Sequence, residues 1–184
     1  MLRRLSLLTA LIICLLGARL LAADMPASPY AGQQARTIKA LSDEEIAALR
    51  NGEGLGMAKA AELNGYPGPL HVLALAAQLE LTERQQREVM AIFDRMSAAA
   101  KPLGGELIAH EQALDQLFAK GEITPDRLTA ETAAIGDVQG RLWSMHLAAH
   151  LATRALLNPD QIARYEKLRG YGEPQVPAQH HHHG

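Results

Sequence analysis

His146 and His150 stand four residues apart. On a helix, side chains at that spacing are neighbours, roughly 5–6 Å apart at Cβ. Two imidazoles so placed can bind one Zn, Ni, Co or Cu ion, whose borderline character suits nitrogen with carboxylate better than Mg or Ca. The pair lacks the intervening glutamate of HExxH, so it does not point to a metalloprotease. Two ligands leave a shell incomplete. The candidates for the rest are His71, in the first turn of an upstream amphipathic segment, and Asp94, on a helix expected to lie alongside. The metal-site candidates are therefore His71, Asp94, His146 and His150. The competing reading makes the histidines partly buried packing residues, hydrogen-bonded to their neighbours. The terminal run His180–His183 is either a cut-down purification tag or a natural metal-scavenging tail.

Other chemistry finds little support. Beyond residue 23 the serines are Ser28, Ser42, Ser97 and Ser144, and none sits in a GxSxG elbow. The one cysteine, Cys14, lies in a segment expected to be removed, so no thiol chemistry remains. The alternate glycines at 52, 54 and 56 lack the GxxxxGK[ST] spacing and follow a helix rather than a strand, which leaves Lys59 an ordinary surface residue. We therefore expect a binding protein rather than an enzyme, with no required cofactor.

Residues 1–23 read as a secretory signal: Arg3 and Arg4, an apolar run from Leu5 to Leu16, then Leu21-Ala22-Ala23 before Asp24. That run is short for a membrane span, which needs roughly 20 residues. A periplasmic protein with no stable membrane insertion after cleavage is expected. Cleavage would remove three of the 18 basic residues and leave 15 against 20 acidic ones. An acidic chain argues against nucleic acid, whose binding rests on clustered Lys and Arg.

The elements that must position the histidines are helical. Residues 24–40 read as a flexible segment, 41–170 as a helical domain and 171–184 as an unstructured tail. Ser42 with Glu45 makes a capping box for a short helix ending near Arg50. Asn64-Gly65-Tyr66-Pro67-Gly68-Pro69 is a break, and Pro69 suits the first turn of a helix over 69–79. Thr82 caps a long helix reaching about Lys120, in which Pro102 is expected to introduce a kink. Thr124-Pro125-Asp126 starts a second, reaching Leu156, and Asn158-Pro159-Asp160 a last one to about Gly170.

The two long helices read as an antiparallel pair. Val89, Phe93, Met96, Ala100, Leu103 and Leu107 follow a four-three spacing, as do Ile135, Val138, Leu142, Met145 and Ala149. The short turn at 121–124 sets opposed residues to have numbers summing to about 241 or 242. That places Phe93 by Ala149, Met96 by Met145, and the polar seam residues His110 and Glu131 face to face as a register-fixing pair. The flank carrying His146 and His150 also carries Trp143, so something is expected to cover it. The helix at 69–79 is the candidate, and folding it back could bring His71 near Asp94, His146 and His150. The expected class is all-α: a hooked antiparallel helical hairpin with short flanking helices, four to five in all.

Leu81-Thr82-Glu83-Arg84-Gln85 is an LTxxQ motif, and Leu157-Asn158-Pro159-Asp160-Gln161 resembles a second copy with Asn for Thr. Two such motifs on an exported helical chain resemble the Spy/CpxP family over roughly residues 70–170. The resemblance implies a thin helical hairpin dimerised into a cradle. It also implies one of three roles: an ATP-independent chaperone of unfolded envelope proteins, a modulator of an envelope signalling protein, or, in CnrX-like relatives, a nickel and cobalt sensor. The sequence departs from the chaperone pattern in its acidic charge. It departs from the sensor pattern in the first long helix, where the usual HxxxH is incomplete, with Leu75 four residues after His71. The expected function is envelope protection by binding, as chaperone or metal sensor. The alternative is a structural or interaction module that binds neither metal nor client.

Overall fold

The computed structural model describes residues 27–171; the expected signal sequence and the residues from 172 onward lie outside them. Residues 27–35 belong to a separate unit of turns ending in a single 3-10 turn, Gln33–Ala35. Among the described residues from Arg36 on there are six α-helices: α1 Asp43–Asn51, α2 Lys59–Glu62, α3 Pro69–Ala74, α4 Glu83–Ala119, α5 Pro125–Leu156 and α6 Pro159–Leu168. Among the described residues there is no strand, only an isolated bridge between Ile38 and Leu41. No helix there is long and apolar enough to cross a membrane.

The expected four to five helices become six because α2 forms from four residues wedged between the glycine-rich stretch and the break at Asn64. The helix expected over 69–79 stops at Ala74, and the chain continues in turns to Glu80, whose φ of 51° is left-handed. Near residue 40 the segment expected to be flexible is tied down: Ile38 is buried in the core and the Lys39 amide donates to Asp115 Oδ1 at 3.3 Å.

The caps follow from sequence chemistry. Ser42, Thr82 and Asn158 each accept the N3 amide, and Glu45, Gln85 and Gln161 return a side-chain oxygen to the cap amide. Thr124 caps α5, with Pro125 at the first position.

α4 and α5 form the antiparallel hairpin. Its core joins Ala100, Leu103 and Leu107 of α4 to Val138 and Leu142 of α5, with Ile135 and Met145 packed beside them. His110 Nδ1 lies 3.0 Å from Glu131 Oε2, the pair expected from the seam register. Leu49 of α1 completes this core, and burying such a side chain contributes about 1.5–3 kcal/mol. α1 approaches α4 at Gly104, where a Cβ would fall 2.1 Å from the Leu49 carbonyl oxygen. α4 runs unbroken past Pro102, which lies on its exposed side, where water can satisfy the carbonyl that proline leaves free.

A second core holds the other end. Val72, Leu79, Leu81, Val89, Leu157 and Tyr165 bury one another. Leu81 and Leu157, the leading residues of the two repeated motifs, therefore share one cluster. Their glutamines meet as well: Gln85 Nε2 donates to Leu156 O at 2.8 Å, and Gln161 Nε2 donates to Leu79 O at 3.2 Å.

Candidate metal-responsive site

α5 presents His146 and His150 one turn apart, and the chain from Gly54 to Gly68 runs along them. Gly54 lies against the first imidazole, where a Cβ would sit 2.9 Å from His146 Cδ2 and 3.3 Å from Nε2. Gly68 lies against the second, where a Cβ would sit 2.9 Å from His150 Cε1 and 3.0 Å from Nε2. Any larger residue at either place would push this segment off the helix. Farther along, Arg154 donates to the Gly65 carbonyl and stacks on Tyr66, 4.5 Å from the ring centre.

The hydrogen bonds assign the tautomers of both rings. His146 Nδ1 is 2.9 Å from Leu142 O, and His150 Nδ1 is 2.7 Å from Tyr66 O. A carbonyl oxygen only accepts, so each Nδ1 carries the proton. A neutral ring then leaves its lone pair on Nε2, the atom a metal would use. In His146 that nitrogen is buried without a hydrogen-bond partner among the described residues. A buried polar atom left unpaired costs stability, which is why such atoms are rare outside functional sites.

Glu62 stands beside His150 and His71. Its Oε1 accepts from Tyr165 and, at 3.0 Å, from Tyr171, and its Oε2 accepts from the Gly68 amide at 3.2 Å. The Arg169 guanidinium lies 3.4 Å away. His71 Nδ1 is 3.6 Å and His150 Nδ1 3.8 Å from this carboxylate. Both distances are too long for hydrogen bonds, and the His150 Nδ1 proton goes instead to Tyr66 O. Burial pushes the Glu62 carboxyl up, but the tyrosine hydroxyls and then the neighbouring histidines outweigh it and leave its pKa below the ordinary 4.5. His71 is held below 6.5, first by burial and then by the Arg169 charge, against the pull of Glu62. The Tyr165 hydroxyl is pushed far up by burial and by its bond to Glu62, so it remains a donor.

These groups border a cavity of about 930 Å³, lined by His71, His146, His150 and Glu62 with apolar walls that include Leu55 and Phe93. Three of the four expected metal-site residues thus share one cavity. Asp94 does not join them: it is exposed on α4 and outside the lining. Glu62 is the carboxylate the structure brings instead. A lone glutamate on a one-turn helix carries no spacing signal that could have marked it. Trp143, expected to be covered, is 55% exposed. The covering segment runs from His146 toward Arg154 and stops short of Trp143, which lies nearer the start of α5. Among the described residues, no three His, Cys, Asp or Glu side chains stand close enough to hold one ion as they are.

The chain belongs to the heavy-metal resistance family, whose pattern matches residues 55–164. That family contains the CnrX-like and Spy/CpxP-like periplasmic helical proteins, which are binding and sensing proteins rather than known enzymes. The match begins one residue after Gly54 and takes in the rest of the cover, the hairpin and the first part of α6. No curated protein and no solved structure matches the chain.

Proposed function

We propose that this member of the heavy-metal resistance family is an exported envelope protein that senses a divalent Zn, Ni, Co or Cu ion at the cavity beneath residues 54–71. His146 and His150 supply Nε2, and His71 and Glu62 are the further donors within the cavity. The observation that supports this most is the buried, unpartnered Nε2 of His146, held in the ligating tautomer by the Leu142 carbonyl.

The position of Gly54 against this ring makes metal entry and loop movement one event. An ion can reach Nε2 only if the cover shifts, and a ligand biases two states only by binding one better. Glu62 extends the coupling. A carboxylate drawn toward a cation gives up hydroxyl bonds from Tyr165 on α6 and from Tyr171 beyond it, so ion binding would loosen α6.

Calorimetric titration of Zn²⁺ and Ni²⁺ into the protein and into His146→Ala/His150→Ala tests this reading. The parent should bind one ion, and the double variant should lose at least tenfold in affinity with its helical circular dichroism unchanged. Equal affinity in both would sink the proposal.

A second reading has its own support. Trp143 and Leu151 of α5 are 55% and 59% exposed, and Met90 and Phe118 of α4 are also open. Apolar side chains so exposed suit contact with an unfolded client, an envelope signalling protein or a second copy of the chain. Suppression of aggregation that disappears in Trp143→Ser/Leu151→Ser would support it, and identical suppression by parent and variant would count against it.

A further inference from the structure

The Glu62 side chain is 11% exposed, and a carboxylate so withdrawn from water is costly unless a cation pairs with it. Among the described residues, the groups within 4 Å that can carry positive charge are His71, His150 and Arg169. A histidine must be neutral to coordinate an ion, so neither ring serves as cation and ligand at once. Arg169 alone is a permanent cation.

Arg169 is built into this place. It is the C-cap residue of α6, and its amide donates to Tyr165 O at 2.9 Å. Its Nε lies 3.4 Å from Glu62 Oε1, the oxygen that also accepts from the Tyr165 and Tyr171 hydroxyls. Its Nη2 donates to the Tyr171 hydroxyl at 3.3 Å, and the guanidinium sits 5.7 Å from the centre of that ring. The charge is felt at His71, whose pKa is held below 6.5 first by burial and then by Arg169. A charge that resists a proton on that ring resists a metal ion there as well.

A divalent ion drawn to Glu62 therefore meets a cation already seated. The two cannot share Oε1 at close range, since like charges repel more strongly where water is excluded. Apparent affinity falls with the fraction of protein competent to bind, and a chain with Arg169 on Glu62 is not competent to use that carboxylate.

We infer that Arg169 is a tethered competitor: it is the resident cation of Glu62 in metal-free protein, and a divalent ion must displace it to use that carboxylate. This rests on the metal reading above and adds what sets the ion concentration at which the site fills. Displacement also frees the end of α6 from Glu62.

The test takes as parent the chain from Asp24 to Gly184 with the four terminal histidines changed to Ser, and adds Arg169→Gln, Arg169→Lys or His146→Ala to it. Calorimetry gives Zn²⁺ affinity and circular dichroism checks folding. Loss of a residue that merely supports a site weakens binding. Arg169→Gln should instead tighten it, by about tenfold if roughly nine chains in ten hold the pair. Arg169→Lys keeps the charge and should lie closer to the parent than to Arg169→Gln. His146→Ala should weaken binding tenfold or more. Nitrogen NMR of the parent gives a readout that does not depend on Arg169→Gln folding: the Arg169 Nε signal should move as Zn²⁺ takes its carboxylate. Arg169→Gln less than about threefold tighter than the parent would overturn the competitor. So would Arg169→Lys that lies closer to Arg169→Gln, or an Nε signal that stays in place at saturating Zn²⁺. In those outcomes His146-dependent binding survives and the metal reading stands. Binding that His146→Ala leaves unchanged, or none tighter than millimolar in either the parent or Arg169→Gln, ends both.

Discussion

Gln85 and Gln161 pair their side-chain amides, with Gln85 Nε2 2.9 Å from Gln161 Oε1 and Gln161 Nε2 3.2 Å from Gln85 Oε1. Each oxygen also holds the cap amide of its own helix, Thr82 or Asn158, at 3.0 Å. Each nitrogen also reaches a carbonyl just before the other motif. The two repeats thus clasp each other, and the final glutamine of each motif is a tertiary contact as well as a cap. Gln85→Ala or Gln161→Ala should each cost about 1–3 kcal/mol, because each strands buried partners. The double variant should fall short of the sum by about 0.5–3 kcal/mol. Urea unfolding of the four proteins measures this, and simple additivity would contradict the clasp.

Two adjacent glycines should respond with opposite signs. A Cβ at Gly104 would collide with the Leu49 backbone, while one at Gly105 would meet nothing within 4 Å. Gly104→Ala should destabilise by about 1–3 kcal/mol through overpacking. Gly105→Ala should stabilise by about 0.5–1 kcal/mol, the helix cost of glycine being removed. Thermal melts decide; a stabilising Gly104→Ala would mean that α1 does not rest on α4 there.

The seam pair can be exchanged for apolar residues. His110 and Glu131 are each partly exposed, so their mutual attraction is worth about 0–1 kcal/mol after desolvation. Either residue changed alone to Leu leaves its partner unpaired and should destabilise. His110→Leu with Glu131→Leu should be neutral or stabilising. Chemical denaturation of the two singles and the double checks the register directly, since the effect requires the two residues to face each other.

Much of the hairpin was legible because helical periodicity and caps are local. A four-three spacing needs only neighbours, and a short turn then dictates which numbers face each other. His110 opposite Glu131 follows from that arithmetic. The cover was harder to read. Gly54 and Gly68 owe their identity to imidazoles more than 80 residues away, and nothing near them in sequence says so. Glu62 was invisible for the same reason: its partners Tyr165 and Tyr171 arrive with α6 and the residues just beyond it. Asp94 was proposed from helix phase alone, and phase does not say how far a covering segment reaches.

Acid should loosen the cover in two stages. His71 has a folded pKa below 6.5, so its contribution is whole above 6.5 and is lost as pH falls through the lower folded value. Glu62 has a folded pKa below 4.5, so its contribution is whole above 4.5 and is lost as pH falls through its own folded value. His71→Ala should remove the first part of the decline in stability and Glu62→Gln the second. Melting temperature followed from pH 8 to pH 3 measures both; a profile of Glu62→Gln that matches the parent below pH 4.5 would refute the carboxylate's part.

Histidine nitrogen NMR reads the proposed ligands atom by atom. In metal-free protein with the four terminal histidines changed to Ser, His146 and His150 should both carry a proton at Nδ1, as their bonds to Leu142 and Tyr66 require. Adding Zn²⁺ should move the Nε2 resonances of both while each Nδ1 keeps its proton. If Nε2 of His146 and His150 stays in place at saturating Zn²⁺, the cavity is not a metal site.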